Sequence, residues 1–212
     1  MGLCIMKKII YFISIFAFSF LSSQNIKYLR DNELVILGTG SSPILDRMYF
    51  LTMKFGTRNF SIEYKFKNSD NLDFLEDIKF KEIYEKLSVA RGEDSLSYYM
   101  DKLREIEIKY NTFETRKITF KNIENKKFLN LIYTLFNTSI SRIKDSKDKI
   151  SMIVDGSNFN FLLKSKSDTK KFMIYSPNKT NYSLCYFILT SALELYRVRF
   201  KDGFLENKTF GY

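Results

Sequence analysis

The side chains that could do chemistry are few, and their types exclude several mechanisms. The 212-residue chain contains no histidine, so a histidine base, nucleophile or metal ligand is excluded. Ser41 and Ser42 occur in Gly38-Thr-Gly-Ser-Ser-Pro43, but no Ser-x-x-Lys pattern supplies either serine with a base. The same segment lacks the third glycine of a dinucleotide loop and the Gly-Lys-Ser/Thr of a Walker loop. It predicts a turn between strands.

Carboxylates are the remaining candidates for chemistry. The densest acidic cluster is Asp70, Asp73, Glu76 and Asp77. Its irregular spacing and its lack of glycine differ from a calcium loop, whereas acidic side chains at a helix start complement the helix dipole. A carboxylate hydrolase needs two carboxyl groups in one cleft, and only Asp46 and Glu63 lie near the first predicted strands. The sequence therefore predicts no catalytic residue, no cofactor-binding residue and no metal ligand.

The N-terminus has the pattern of an export signal. Lys7 and Lys8 precede the apolar segment 9–21, and small or polar residues follow it at 22–24. The apolar segment is too short for a bilayer, which needs about 20 helical residues. We predict that residues 1–24 are a signal peptide with Met1 or Met6 as its start. An uncleaved N-terminal anchor and a buried helix are the alternatives.

This signal predicts an exported bacterial protein, periplasmic, outer-surface or secreted, with no stable membrane span after signal removal. Cys185 is then the single cysteine of the mature chain, so an intrachain disulfide is excluded. It lies within the apolar segment 184–189 and is expected to be a buried small hydrophobic residue.

Charge is distributed unevenly along the chain. Residues 25–108 carry 13 basic and 15 acidic side chains, whereas residues 109–212 carry 19 basic and 9 acidic ones. In an exported protein, a basic surface meets anionic envelope components such as polysaccharides and lipid head groups. The alternative is a solvated surface that keeps the protein soluble. Aromatic residues with lysines also occur in single-strand binders, but these aromatics alternate on strand faces that must pack against helices. We therefore predict no nucleic-acid partner.

Apolar alternation predicts the strands. Residues 34–37 indicate a short strand, and residues 49–55 and 60–66 indicate a hairpin joined by residues 56–59. Asp155-Gly156 between residues 150–154 and 159–163 predicts a second hairpin, because both turn positions need positive φ. A further strand is expected at residues 172–174. Residues 113–121 are compatible with a strand or a loop.

Apolar spacings of three and four predict the helices. They lie at residues 73–90, capped by Asp73, and at 95–110, 128–143 and 182–200. Strands, helices, strands and a helix in this order predict an α+β fold, with antiparallel sheet hairpins and segregated helices packed on one face. We expect residues 25–212 to form a single domain, with a possible subdivision near residues 143–149.

Residues 150–195 combine a strand, Asp155-Gly156-Ser-Asn-Phe159-Asn-Phe161, a second strand, Ser176-Pro177 and an apolar helix. This arrangement resembles the C-terminal part of an uncharacterised family of small secreted bacterial proteins. The resemblance implies no known activity and no known site residues.

These observations favour a non-enzymatic envelope or secreted binding protein with a basic C-terminal half. Its partner is then an unknown protein or an anionic envelope component, and no cofactor is expected. Two alternatives stay open: an exported hydrolase that uses carboxylates or a Ser-Lys pair, and a structural or assembly subunit. The sequence does not define the oligomeric state.

Overall fold

The computed structural model describes residues 28–40, 48–67, 72–145 and 156–201. Six strands form one antiparallel sheet in the order β4-β3-β2-β1-β5-β6. The strands are β1 (Glu33–Gly40), β2 (Met48–Phe55), β3 (Asn59–Lys67), β4 (Phe113–Lys121), β5 (Ser157–Lys164) and β6 (Thr169–Tyr175). The helices are α1 (Ile78–Val89), α2 (Glu93–Tyr110), α3 (Lys126–Asn137), α4 (Ile140–Lys144) and α5 (Ser183–Arg199). Short 3-10 helices occur at Asp73–Glu76 and Asn122–Asn125. The predicted α+β class with an antiparallel sheet is confirmed.

One face of the sheet, here called the core face, carries the alternating apolar side chains. The predicted β2–β3 hairpin supplies half of those that are buried, and α3, α4 and α5 pack over this face. Each large apolar side chain buried in this way contributes about 1.5–3 kcal/mol to folding. The fully buried aromatic residues of this core are Tyr49, Phe60, Tyr64, Phe66, Phe159, Phe161 and Tyr196.

Strand β1 is longer than the sequence predicted, because Gly38 lies within it rather than in a turn. Gly38 pairs with Tyr49 of β2, and a Cβ atom on Gly38 would lie 2.7 Å from Cζ of the Tyr49 ring. The glycine therefore belongs to the strand and leaves room for the tyrosine. Ser41 and Ser42, which the sequence placed in this turn, lie outside the described residues.

The hairpin of the second half differs from the predicted one. Strand β5 is hydrogen-bonded to β1 along one edge and to β6 along the other. Its hairpin partner is β6, through a connection in which the Ser165 amide donates to the Asp168 carbonyl at 2.8 Å. Residues 150–154, the predicted partner, lie outside the described residues.

Two predicted helix positions also change. The predicted helix 128–143 is divided into α3 and α4, because the Ser139 side chain accepts a hydrogen bond from the Arg142 amide and starts a new helix. Asp77, rather than Asp73, caps α1, because its side chain accepts bonds from the amides of Lys79 and Phe80. Residues 113–121 form β4, which pairs with β3.

Residues 73–110, here called the arm, form a separate layer. The arm contains the first 3-10 helix, α1 and α2, and has its own apolar cluster of Phe74, Phe80, Leu103 and Ile106. It lies on the other side of the sheet, here called the second face. Ion pairs from α2 to Lys67 of β3 and Lys171 of β6 fix this position. Helices therefore lie on both faces. The sequence predicted helices on one face of the sheet, because the side of α2 that meets the sheet is charged and resembles a solvent-exposed side.

Candidate functional site

The carboxylates near the first strands do not form a described pair. Glu63 is half-buried on the second face, directly opposite Thr52 of β2 and Lys117 of β4. Asp46 lies outside the described residues. The two cross-strand neighbours of Glu63 are thus a hydroxyl and a basic side chain, and neither is the second carboxyl group that a carboxylate hydrolase needs.

The acidic cluster is used to start a helix. Asp77 Oδ2 accepts a hydrogen bond of 2.8 Å from the Tyr110 hydroxyl, and this bond lowers the pKa of Asp77 below its usual value. Glu76 is 2.7 Å from Lys81 Nζ. Asp70 lies outside the described residues. Across residues 28–40, 48–67, 72–145 and 156–201, no group of three histidine, cysteine or acidic side chains could hold a metal ion.

Cys185 is buried within α5, as predicted. Burial raises the pKa of its thiol to about 12. Because the thiolate is the nucleophilic form, the group is protonated and unreactive near neutral pH. It therefore acts as a core side chain.

Many of the basic residues in the second half have acceptors. Lys164 lies 3.2 Å from Glu33 and Lys166 lies 2.9 Å from Asp31. Lys170 donates to the Phe136 carbonyl at 2.8 Å. These contacts hold β5 and β6 to neighbouring elements, so these lysines are partly occupied by the fold itself.

A groove between α3 and α5 is lined by residues of the basic half. The second 3-10 helix and the first turn of α3 form one wall, and the C-terminal half of α5 forms the other. The groove has a volume of about 640 Å³. Its lining residues are Ile123, Glu124, Asn125, Lys126, Lys127, Phe128, Thr190, Ser191, Glu194, Leu195, Arg197 and Val198.

The ion pairs of the groove leave it with a positive entrance. Glu124 pairs with Lys121 at 3.1 Å, and Glu194 pairs with Arg197 at 3.9 Å. Among the described residues, Lys126 and Lys127 form no salt bridge. They also start α3, where the helix dipole places partial positive charge. The groove therefore attracts an anionic group at the end where α3 begins.

Apolar side chains flank this charged entrance. Ile123 is 65% exposed and Val198 is 72% exposed, while Phe128 lies buried at the base. Two exposed branched side chains beside two lysines suit a ligand that has both an anionic and an apolar part. Sequence reasoning missed this site. The Lys126-Lys127 pair before an apolar helix was its one local signal, and the opposite wall comes from a helix about 60 residues later.

Comparison with known proteins gave no match to a family model, a curated protein or a solved structure. The resemblance of residues 150–195 to small secreted bacterial proteins stays a prediction. None of the helices in the described part of the chain has the length and apolar character needed to cross a membrane.

Proposed function

We propose that the protein is an exported, non-enzymatic binding protein of the bacterial envelope that holds an anionic amphiphile in the groove between α3 and α5. The amphiphile has a phosphate-bearing head group and an apolar chain. The observation that carries the proposal is the position of Lys126 and Lys127, which lack carboxylate partners among the described residues and lie beside exposed Ile123 and Val198.

The uneven charge of the chain supports this proposal. The groove belongs to the half of the sequence that carries the net positive charge. Lysine ammonium groups bind phosphate as point charges, and the apolar rim adds affinity by covering part of a hydrocarbon chain. No covalent step is needed, which agrees with a fold whose candidate nucleophile Cys185 is buried.

Vesicle binding tests the proposal directly. The purified protein is titrated with phosphatidylglycerol–phosphatidylcholine vesicles and with phosphatidylcholine vesicles at low and high NaCl. We expect binding to the anionic vesicles alone, with affinity that falls as salt rises. The double substitution Lys126→Gln/Lys127→Gln should weaken binding about 30-fold, since each lysine near an anionic surface contributes about 1 kcal/mol.

The matched control is Lys79→Gln/Lys86→Gln, which removes the same charge from exposed positions of α1. It should bind like the native protein. Val198→Asn should weaken binding by a factor that does not change with salt. Equal losses of vesicle affinity in the two double-lysine variants would mean that the net charge of the protein, and not the groove, determines binding.

Export is tested separately. The chain is expressed in a Gram-negative host, the cells are fractionated, and the N-terminus of the recovered protein is determined by mass spectrometry. We expect a mature protein in the periplasm or medium that starts near Gln24 or Asn25. An intact N-terminus in the inner membrane would show that the apolar segment 9–21 is an uncleaved anchor. An intact N-terminus in the cytosol would contradict export.

A further inference from the structure

The arm leaves and re-enters the sheet at one point. Its chain departs after Lys67, the last residue of β3, and returns at Phe113, the first residue of β4. These two residues are direct partners in the β3–β4 pairing. The arm is therefore an excursion between two adjacent strand ends, and it contributes no strand to the sheet between them.

The arm also has a core of its own. Phe74, Phe80, Leu103 and Ile106 form a buried cluster that is distinct from the main core under α3 and α5. Leu75, Ile83 and Leu87 pack on the same cluster. These contacts join α1 and α2 into one packed unit.

Ion pairs hold the arm on the sheet. Lys67 Nζ lies 3.5 Å from Glu107 Oε1, and Lys171 Nζ lies 2.5 Å from Asp101 Oδ2. Residues 101 and 107 are about 9 Å apart along α2, whereas β3 and β6 are four strand spacings, about 19 Å, apart. The two lysines thus extend towards α2 from opposite sides, and this part of α2 lies over the central strands.

The charges of the two parts are complementary. Residues 72–111 carry 10 acidic and 7 basic side chains, while the remaining described residues carry 20 basic and 8 acidic ones. An acidic helical pair therefore lies on a basic body.

The surface under α2, here called the sheet strip, is amphipathic. It lies on the second face between Lys67 and Lys171 and contains half-buried apolar side chains: Val35, Leu37, Phe50, Leu162 and Met173. A basic residue at each side with apolar residues between them fits an amphipathic helix that carries one carboxylate at each end of the contact. On α2 these carboxylates are Asp101 and Glu107, and Arg104 between them is ion-paired to Asp101.

We propose that the sheet strip is an interaction surface for an acidic amphipathic helix of a partner protein, and that the arm covers it and opens as a unit about the Lys67–Phe113 pair. The carboxylates of Asp101 and Glu107 mark where the partner's carboxylates bind. This inference does not depend on the groove or on its ligand.

Thiol labelling in the full chain measures the opening. Leu37→Cys places a thiol on β1 beneath the arm in a Cys4→Ser background, and buried Cys185 reports unfolding of the whole core. Thr119→Cys, at an exposed position of β4, gives the unprotected labelling rate. We expect the thiol at position 37 to react more slowly than the one at 119 but at least about tenfold faster than Cys185, because local opening needs less free energy than global unfolding.

Variants of the ion pairs test the cause. Asp101→Asn/Glu107→Gln should accelerate labelling at position 37 by about tenfold or more without accelerating Cys185. Glu82→Gln/Glu85→Gln, which removes the same charge from the exposed side of α1, should leave both rates unchanged. Equal rates at positions 37 and 185 in every variant would show that the arm opens only when the protein unfolds, and the hinge would be rejected.

A peptide of residues 93–110 then serves as the acidic helix. Added to the full-length Asp101→Asn/Glu107→Gln protein, it should slow labelling at position 37, whereas the peptide with Asp101→Lys and Glu107→Lys should have no effect. If the native peptide gives no protection, or if both peptides protect equally, the sheet strip does not recognise an acidic helix.

Discussion

Lys67 and Glu107 form an ion pair whose two side chains are only 3% and 6% exposed. Desolvation of two charges costs several kcal/mol, and their mutual attraction offsets much of it only while both are present. Lys67→Met and Glu107→Gln should each destabilise the docked arm by about 3 kcal/mol, since each removes one charge of a buried ion pair and keeps the other charge buried.

The double substitution Lys67→Met/Glu107→Leu should recover most of this loss, because a packed apolar pair of similar volume replaces the charges. Urea unfolding followed by circular dichroism, to which the helices of the arm contribute nearly half of the described α-helical residues, measures the four proteins. Additive losses in the double variant would contradict a coupled buried pair.

Tyr64 joins the sheet to α5. Its hydroxyl donates a hydrogen bond of 2.7 Å to the Ala192 carbonyl, and its ring packs edge-on against Tyr196 with centroids 5.0 Å apart. Tyr64→Phe should lower the free energy of unfolding by about 1–2 kcal/mol, since the ring stays and the buried bond is lost. Tyr84→Phe, at a ring that is 44% exposed, should change it by less than about 0.5 kcal/mol. Thermal unfolding compares the two variants.

Cys185 makes the free energy of unfolding depend on pH in the alkaline range. Burial raises the pKa of its thiol to about 12 in the folded protein, above the value in the unfolded chain. A raised folded pKa gives stability that is complete below the unfolded pKa and is lost as pH rises towards the folded pKa. Between pH 9 and 10.5, this group should lower the free energy of unfolding by up to about 1.4 kcal/mol per pH unit.

Guanidinium unfolding at a series of pH values measures this slope, and Cys185→Ala should have a shallower one. Burial also raises the pKa of Tyr64, so Cys185→Ala should keep part of the alkaline loss. An unchanged slope in Cys185→Ala would show that the thiol does not contribute.

Asp77 makes the stability of the first turn of α1 depend on pH in the acid range. The Tyr110 hydroxyl lowers the pKa of Asp77, and the amides of Lys79 and Phe80 add to the effect. A lowered folded pKa gives stability that is present above the unfolded pKa and is lost as pH falls through the folded pKa. Hydrogen exchange at the first amides of α1 should therefore accelerate between pH 5 and about 2, after correction for the intrinsic pH dependence of exchange. Asp77→Asn should remove this response, and Tyr110→Phe should shift it to higher pH.

Local patterns were sufficient for the main sheet. Residues 49–55 and 60–66 alternate strictly, so their pairing and their buried side followed from periodicity, and the structure confirms the hairpin. The neighbours of β5 did not follow from local pattern. Its pairing with β1 joins segments more than 110 residues apart, and Asp155-Gly156 resembled a hairpin turn more strongly than the Ser165–Asp168 connection that closes β5 onto β6.

The groove and the arm could not be predicted for related physical reasons. Ile123, in the second 3-10 helix, and Val198, in α5, line one groove only because α3 and α5 pack side by side, and the sequence of neither segment predicts the other. The charged side of α2 resembles a solvated helix face, because Asp101, Arg104 and Glu107 are of types that are rarely buried. The lysine partners of Glu107 and Asp101 lie on β3 and β6, and Arg104 pairs with Asp101 on α2 itself, so burial of this stripe is a property of the assembled fold.

The sheet order sets a sequence of events for a chain that emerges N-terminus first. Strands β1 to β4 are consecutive neighbours and can pair as soon as they appear, but β1 receives its other neighbour only when residue 157 arrives. At roughly 5–20 residues per second, the time between completion of β1 and the arrival of residue 157 is on the order of 10 seconds. During it β1 is an open strand edge, able to pair with any other extended chain. Termination between β1 and β5 therefore yields a product in which the backbone N–H and C=O groups along one edge of β1 are unpaired, and only a chain that includes β5 places β1 inside its sheet.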